Sequence, residues 1–406
     1  MSSDTIDILC IGSGALGTVY GHILERGGAR ITAVARSNYE SMSRDGITIN
    51  SPIVGRVEGW KPYKVVRGPE EVQDQFFDYV VCTFKCTPDL TPTSEIIRPF
   101  LRKPSNDEER SRLPTIVTVQ NGIGIEAEVR TSLVDCAEPV AKGIISAVAW
   151  IGANLKENGT VVEYGSLEKL EMGVFASLDA PTTDNGIRIP SDQEQASLDH
   201  FFGLYKRGGG GGLLSDDIEA VRWKKVLWNA GWGGLCSLAR QPVAAMITES
   251  TLHHTVGVVR RTMLEILFVA RACGIGEDRF PAAAVDAAFE ITGNSAHVAQ
   301  FADIQSNLSG DFKPSILLDL ENGRPMELYP IIGAVVEKAR LHNVDTPRLD
   351  MILAALWPSQ VEAITRARGG KDKAGQVGVQ YSSLNAVSKG AWSAGAPVPR
   401  DGRNLI

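Results

Sequence analysis

The sequence lacks any hydrophobic run that could cross a membrane. No apolar stretch in its 406 residues approaches the ~20 residues that a transmembrane helix requires. The N-terminus also lacks the basic segment that begins a secretory signal, and an apolar strand pattern starts within the first ten residues. We therefore expect a cytoplasmic protein that has no membrane partner.

The chain has fewer positively charged than negatively charged residues, with 41 lysines and arginines against 48 aspartates and glutamates. The net charge of −7 argues against nucleic acid as the main partner. The six cysteines form no C-x-x-C pair and no cluster with histidine at zinc-binding spacing, so no metal site is predicted. Cys10 and Cys82 lie in apolar runs and are expected to be core residues in a reducing compartment.

A glycine-rich motif near the start of the chain is the most informative feature that is present. The apolar run Ile6–Ile11 leads into G-x-G-x-x-G, and helical spacing follows. The first glycine permits a tight turn, the second lets the backbone approach a pyrophosphate, and the third lets the helix pack closely on the strand. Free N–H groups at the helix start then bind the phosphates. The predicted dinucleotide loop consists of Gly12, Ser13, Gly14, Ala15, Leu16 and Gly17.

The end of the second predicted strand, over residues 30–36, indicates which dinucleotide binds. The carboxylate that would accept a free ribose 2′-hydroxyl is missing, and Arg36 stands at this position. A guanidinium can bind a 2′-phosphate with two hydrogen bonds, which favours NADP(H) over NAD. The alternative is an arginine that is merely solvated at a strand end.

The order of elements predicts an α/β Rossmann-type parallel sheet domain followed by an all-α C-terminal domain. Apolar runs at 77–84 and 114–120 are typical of buried parallel strands, and alternation over 140–175 indicates antiparallel strands that extend the sheet. A polar stretch at 177–191 is interpreted as an exposed insertion.

Five consecutive glycines at 208–212 predict a flexible break between the domains. Beyond it, Asp216 and Glu219 are spaced as a capping box, and helical spacing recurs over 256–273, 281–291 and 325–341. The predicted division is an NADP-binding domain at 1–215, a helical substrate domain at 216–368 and a mobile tail at 369–406.

Two segments of the helical half carry candidate chemistry. Lys225 and Asn229 are four residues apart, so they share one face of a helix, and a lysine there either extends to solvent or is buried for a function. Further along, Ser315 is placed to cap a short helix, and Glu327 falls in the first turn of the next, where the helix dipole favours an ionised carboxylate. Capping alone is the alternative for these two residues.

Taken together, these features resemble the ketopantoate reductase family (2-dehydropantoate 2-reductase) over about residues 5–345. The resemblance includes a strand that ends in Thr83–Phe84–Lys85, the turn Gln120–Asn121–Gly122–Ile123–Gly124 and a W-x-K-x-x-x-N helix that ends at Asn229. It also includes an S-x-x-x-D…R-P-x-E segment that begins at Ser315.

The resemblance implies the NADPH-dependent reduction of 2-dehydropantoate, a small 2-oxo acid, in pantothenate biosynthesis. It implies that Lys225 is the general acid, with Asn229, Lys313 and Ser315 holding the substrate. Lys85, Asn121, Glu327 and a small residue at Ala149 would contact the cofactor, and Glu327 would also steer the acid. We further expect a homodimer.

Two positions depart from the family pattern at the substrate end. Gly233 stands where a second asparagine is usual, and Val243 stands where a polar contact is usual, while Trp232 adds bulk that is expected to face the same way. Each lost amide should cost roughly 1 kcal/mol of affinity or more. A paralogue that reduces another 2-oxo acid or ketone is therefore an alternative, as is a non-catalytic NADP(H)-binding sensor.

Overall fold

The computed structural model describes residues 5–293 and 312–369. Ten strands form one sheet in the order β4-β3-β9-β8-β7-β6-β1-β2-β5, and β10 pairs with the same long strand β9. The strands are β1 Ile6–Ile11, β2 Ala29–Val34, β3 Ile47–Ser51, β4 Gly55–Trp60, β5 Lys64–Val66, β6 Tyr79–Cys82, β7 Thr115–Thr118, β8 Gly143–Lys156, β9 Val161–Val174 and β10 Gly212–Leu214.

The centre of the sheet is parallel, from β5 through β2, β1, β6 and β7 to β8. These strands are apolar on both sides because helices cover both faces, and Cys10 and Cys82 are buried among them as predicted. The predicted antiparallel extension is confirmed, since β8 and β9 run antiparallel along most of their length.

Helices α1 to α6 belong to the sheet half, and every described element after β10 is helical. The first set is α1 Ala15–Arg26, α2 Tyr39–Arg44, α3 Thr93–Ile97, α4 Asp107–Ser111, α5 Ile125–Leu133 and α6 Asp192–Arg207. The second set is α7 Ile218–Ala239, α8 Val243–Met246, α9 Leu252–Ala272, α10 Ala283–Gly293, α11 Ser315–Glu321, α12 Ala334–Leu341 and α13 Pro347–Ala367. The predicted fold class, a Rossmann-type sheet domain followed by helices, is confirmed. The described residues contain no helix with the length and hydropathy of a membrane span.

The glycine run is not a flexible break. A methyl group on Gly208 would overlap the carbonyl oxygen of Ile23, and one on Gly210 would overlap the ring of Tyr205. Gly212 then begins β10, which pairs with β9. The run consists of glycine because the chain passes directly against α1 and α6, where a side chain has no room.

Two further expectations need correction, and a third is met. Helix α7 is capped one residue later than predicted, because the Asp217 side chain accepts from the Ala220 N–H at 3.1 Å. The 177–191 stretch contains no buried residue and is exposed at most positions, as predicted, and Arg188 within it pairs with Glu219 of α7 at 2.9 Å. The helix predicted over 325–341 begins later, with a π-helical turn at Tyr329–Gly333 before α12. The predicted tail lies outside the described residues apart from Gly369.

Candidate active site

The glycine loop lies at the carboxyl end of β1, as predicted. Gly12 has φ of +103°, and a Cβ there would lie 2.5 Å from the backbone nitrogen of Phe84. A Cβ on Gly17 would overlap the carbonyl oxygen of Gly12, whereas the space around Gly14 is open to at least 4 Å. No side chain caps α1, so its first N–H groups face this open space. The loop therefore has room for a phosphate group and donors to bind it.

The Ser13 side chain anchors the glycine loop to β2 rather than pointing to the open space beside Gly14. Its hydroxyl donates to the carbonyl oxygen of Val34 at 2.8 Å, and its own carbonyl accepts from the buried Asn38 amide at 2.7 Å. Asn38 is a site residue that sequence reasoning missed, although it lies only two residues beyond Arg36. These bonds join the glycine loop to the end of β2.

Arg36 is exposed just beyond β2 and has no carboxylate partner among the described residues. The neighbouring cations are engaged elsewhere: Arg44 pairs with Asp45, and Arg67 stacks on the Tyr39 ring at 4.0 Å. Arg36 is thus the free guanidinium at the strand end where an adenosine ribose is expected.

Glu327 connects the two halves of the molecule. One of its carboxylate oxygens accepts from the Asn121 side-chain amide at 3.0 Å, and the other accepts from the Cys86 N–H at 3.0 Å. Burial raises the pKa of Glu327, while the positive charge of Lys85 lowers it. The pKa of Glu327 is raised on balance because burial has the largest effect, so the expected stabilisation of the ionised carboxylate by a helix dipole does not prevail at this position, two residues before the π-helical turn.

Lys85 reaches across to the helical half and pairs with Asp319 of α11. The lysine side chain is 47% exposed and the aspartate side chain 2% exposed. Burial raises the pKa of Asp319, and the neighbouring Lys85 lowers it. Asp319 had no predicted role of its own, although it is the aspartate of the S-x-x-x-D pattern.

Lys225 projects from α7 onto the indole of Trp150 in β8, with its Nζ 4.6 Å from the ring centroid. It has no carboxylate partner among the described residues, and burial lowers the pKa of Lys225 to about 8. Asn229 lies one turn further along the same helix face and is 9% exposed. The face therefore presents an ammonium group with a near-neutral pKa beside a buried amide.

The next turn of that face meets the segment before α11. A Cβ on Gly233 would lie 3.6 Å from Ile316 and 3.7 Å from Pro314, which is ordinary contact distance. Ser315 is exposed at the start of α11, and its side chain makes no capping hydrogen bond. Capping therefore does not account for Ser315.

Other predicted substrate contacts are placed differently. Lys313 pairs with Glu321 at 2.8 Å. Val243 is buried and is held to the same segment, because its N–H donates to the Phe312 carbonyl at 3.1 Å. Trp232 is fully buried in the helical core, so the expectation that it faces the substrate was wrong.

Comparison with known proteins identifies this arrangement. The model described as ketopantoate reductase PanE/ApbA matches residues 8–177, and the model of its C-terminal part matches residues 217–359. The chain belongs to the ketopantoate reductase family. Family members are oxidoreductases that act on CH–OH groups with a nicotinamide cofactor, and this applies to the present chain.

Individual relatives are distant but extend along most of the chain. A 2-dehydropantoate 2-reductase of Mesorhizobium japonicum is 26% identical over 87% of this chain and 98% of its own. An uncharacterized protein of Saccharomyces cerevisiae is 28% identical over 85% of this chain and 91% of its own. The crystal structure of 2-dehydropantoate 2-reductase from Geobacter metallireducens covers 87% of this chain and 100% of its own, with 26% identity and a TM-score of 0.68.

Arg222 holds α7 of this ketopantoate reductase family member against the sheet. Its guanidinium is buried and pairs with the buried carboxylate of Glu126. It also donates to the Ser146 hydroxyl at 2.7 Å and to the Gln120 carbonyl at 2.8 Å. Sequence reasoning missed this residue, and the available signal was its position one turn before Lys225 on the same side of the helix.

Ala149 of β8 is half-buried and packs with the core that also contacts Ala15 and Leu16 of the glycine loop. Its neighbours Val148 and Trp150 pack instead with Ile218 and Val221 of α7. Because side chains alternate along a strand, β8 faces the glycine-loop helix on one side and the Lys225 helix on the other.

Proposed function

We propose that this chain is an NADPH-dependent reductase of a 2-oxo acid, with 2-dehydropantoate as the lead substrate and pantoate as the product. The observation that carries the proposal is the α7 face, where the ammonium of Lys225 has no carboxylate partner within the described parts of the chain and lies one turn from Asn229. General acid catalysis works best when the donor has a pKa near the working pH. A partly buried lysine with a pKa of about 8 meets that condition.

The part of the proposal that concerns the cofactor rests on how well the glycine loop after β1 would fit a dinucleotide. The open space at Gly14 and the uncapped start of α1 suit a pyrophosphate, and Arg36, which pairs with no carboxylate in the described ranges, suits a 2′-phosphate. We propose that Lys85, Asn121 and Glu327 hold the nicotinamide end, and that Ala149 lines this side of the cleft. When bound, NADPH would supply a hydride to the ketone carbon.

The part of the proposal that concerns the substrate rests on the contact between α7 and the start of α11. We propose that Asn229 and Ser315 bind the 2-oxo acid from the two sides of the cleft, and that Lys225 donates a proton to the oxygen that gains charge. Lys313 would contact the carboxylate of the substrate only after leaving Glu321. Glu327 would orient the ribose of the cofactor and steer Lys225.

A second candidate is a paralogous reductase of a bulkier, less polar 2-oxo acid or ketone. The specific observation in its favour is that Gly233 faces the apolar side chains of Pro314 and Ile316, while Val243 is buried beside this segment. A pocket without hydrogen-bonding groups gains little from the hydroxyl of a substrate and rejects analogues without one only weakly.

Steady-state oxidation of NADPH with a panel of 2-oxo acids tests both candidates. The panel would contain 2-dehydropantoate, pyruvate and phenylpyruvate, with Lys225→Ala as the control and NADH as the second cofactor. The largest kcat/KM with 2-dehydropantoate supports the lead substrate, and the largest with phenylpyruvate supports the paralogue. NADPH binding without turnover of any member would instead support the sensor.

Three features of the protein as a whole also belong to the proposal. We propose a division near residue 215, a homodimer and a cytoplasmic location. Light scattering after size-exclusion chromatography would test the assembly, and expression of residues 1–215 alone would test the division.

A further inference from the structure

The Lys225 ammonium is held by an aromatic ring rather than by a carboxylate. Its Nζ lies 4.6 Å from the centroid of the Trp150 ring, within the range in which a cation is attracted to the face of an indole. A carboxylate partner would bind the proton more tightly and raise the lysine pKa. An aromatic face also favours the charged amine, but less strongly than a carboxylate does, so it holds the ammonium in place with a smaller rise in the lysine pKa.

The Trp150 ring is itself fixed from several sides. Its Nε1–H donates to the Glu171 carboxylate at 2.9 Å, and Lys169 pairs with that same carboxylate at 2.7 Å. The ring also packs with Val148, Ile218 and Val221, at the junction of β8 and α7. Because Ile218 and Val221 precede Lys225 on one helix face, the ring and the lysine stem share one small apolar cluster.

Most other charged groups on α7 and on the elements packed against it are paired, whereas Lys224 of α7, Arg261 of α9 and Glu168 of β9 have no ion pair among the described residues. Lys169 pairs with Glu171 on β9, Glu265 of α9 pairs with Arg348, and Asp319 of α11 pairs with Lys85. On α7 itself, Arg222 pairs with Glu126. On the segment before the π-helical turn, Glu327 accepts from Asn121. Burial is the one cause resolved for the lowered pKa of Lys225.

We infer that Trp150 is a positioning residue, which holds the Lys225 ammonium at the junction of β8 and α7 and sets the pH range in which it can donate a proton. This inference rests on the proposed function, because it assigns a role through the proposed general acid. It predicts that an aromatic ring at position 150 is needed, rather than bulk alone.

The test compares an aromatic with a non-aromatic replacement in the full-length protein. Reactivity of Lys225 towards acetic anhydride, measured peptide by peptide with mass spectrometry across pH 6–11, gives the amine pKa without an activity assay. Trp150→Leu should lower the midpoint by roughly one pH unit, the size of a partly desolvated cation–π contact. Trp150→Phe should leave it nearly unchanged.

Controls separate this role from a structural one. Trp357→Leu, on α13 and away from the cluster, should leave the midpoint where it is in the unaltered protein. Trp150→Met provides a second non-aromatic variant if Trp150→Leu does not fold. Equal midpoints in the Leu, Met and Phe variants, or a rise in the Leu or Met variant because water enters, would overturn the inference.

The pH dependence of activity provides a second test beside the labelling. The upper pH limit of kcat should move with the labelling midpoint in each variant. If the unaltered protein reduces no 2-oxo acid, the proposed function fails, while the labelling still decides whether Trp150 controls the amine.

Discussion

The Asn121 side-chain amide donates to the Glu327 carboxylate at 3.0 Å across the boundary between the sheet half and the helical half. Asn121 follows β7 at the carboxyl edge of the sheet, and Glu327 precedes the π-helical turn. A second bond across the boundary is close by, because the Ile123 N–H donates to the Pro330 carbonyl at 3.0 Å. The strand-end loop and the helical half are therefore held in one geometry at the point where the nicotinamide is proposed to bind.

Arg36→Ala should weaken NADPH binding by roughly 10-fold to 100-fold, since hydrogen bonds to charged groups contribute about 1.5–3 kcal/mol. NADH binding should hardly change, because NADH has no 2′-phosphate. Dissociation constants from cofactor fluorescence measure both. Arg44→Ala is the matched control, since Arg44 pairs with Asp45. Equal losses for the two cofactors would refute the role of Arg36.

Lys225→Ala should lower kcat by roughly 100-fold to 10,000-fold, the usual contribution of a general acid. The affinity for NADPH should stay within about twofold, because the lysine is proposed to act on the substrate. Lys224→Ala, one position round the helix, should keep nearly full activity. Stopped-flow reduction of the substrate measures the effect on chemistry. An essential Lys224 with a dispensable Lys225 would contradict the proposal.

The pH dependence of kcat follows from the lowered pKa of Lys225, which is about 8. The amine must be protonated to donate, so reduction should be fastest below pH 8 and fall tenfold per pH unit well above it. Initial rates at saturating NADPH between pH 6 and 10 would show this limb. A flat profile up to pH 10 would mean that proton donation by this amine does not limit the rate.

Arg222→Met should destabilise the protein by about 3–5 kcal/mol, because it leaves the Glu126 carboxylate buried without its partner. Adding Glu126→Gln to this variant should recover part of the loss, since the unpaired charge is then removed. Urea unfolding followed by circular dichroism gives both values. Arg240→Met, on a residue with no ion pair among the described residues, serves as the control. A double variant no more stable than the single one would show that the ion pair is not the cause.

Gly233→Asn should improve the use of 2-dehydropantoate, because it adds an amide one turn beyond Asn229. A Cβ at this position would meet its nearest neighbour at 3.6 Å, which is an ordinary contact distance. One neutral hydrogen bond predicts a KM about 3-fold to 10-fold lower, with the NADPH affinity unchanged. Steady-state kinetics with phenylpyruvate provides the comparison. An equal fall in KM for both substrates would show that the introduced amide does not bind the hydroxyl of 2-dehydropantoate.

Much of the geometry of the proposed cofactor site could be predicted because its determinants are local. The strand, the glycine loop and α1 are adjacent in the chain, and the backbone geometry of Gly12 and Gly17 follows from their spacing. Likewise, Lys225 and Asn229 share a face because any helix brings residues four apart together. These inferences needed no knowledge of how distant segments meet.

Other features arise only from tertiary contacts. The sequence suggested that the glycines at 208–212 are flexible, but their packing against Ile23 and Tyr205 makes them a fixed turn. It also suggested a dipole-stabilised carboxylate at Glu327, whereas burial raises its pKa. A local sequence pattern does not show which side chains are buried by segments that are distant in the chain.

The sequence by itself determined the fold class, the dinucleotide loop and the helix face that carries the proposed acid, because short-range periodicity and backbone sterics specify each of them. The tertiary structure alone decided which groups surround that face. Trp150 reaches Lys225 and Arg222 reaches Glu126 only after β8 and α7 pack together. Desolvation and charge pairing depend on those contacts, so the pKa of Lys225 is a property of the packed molecule.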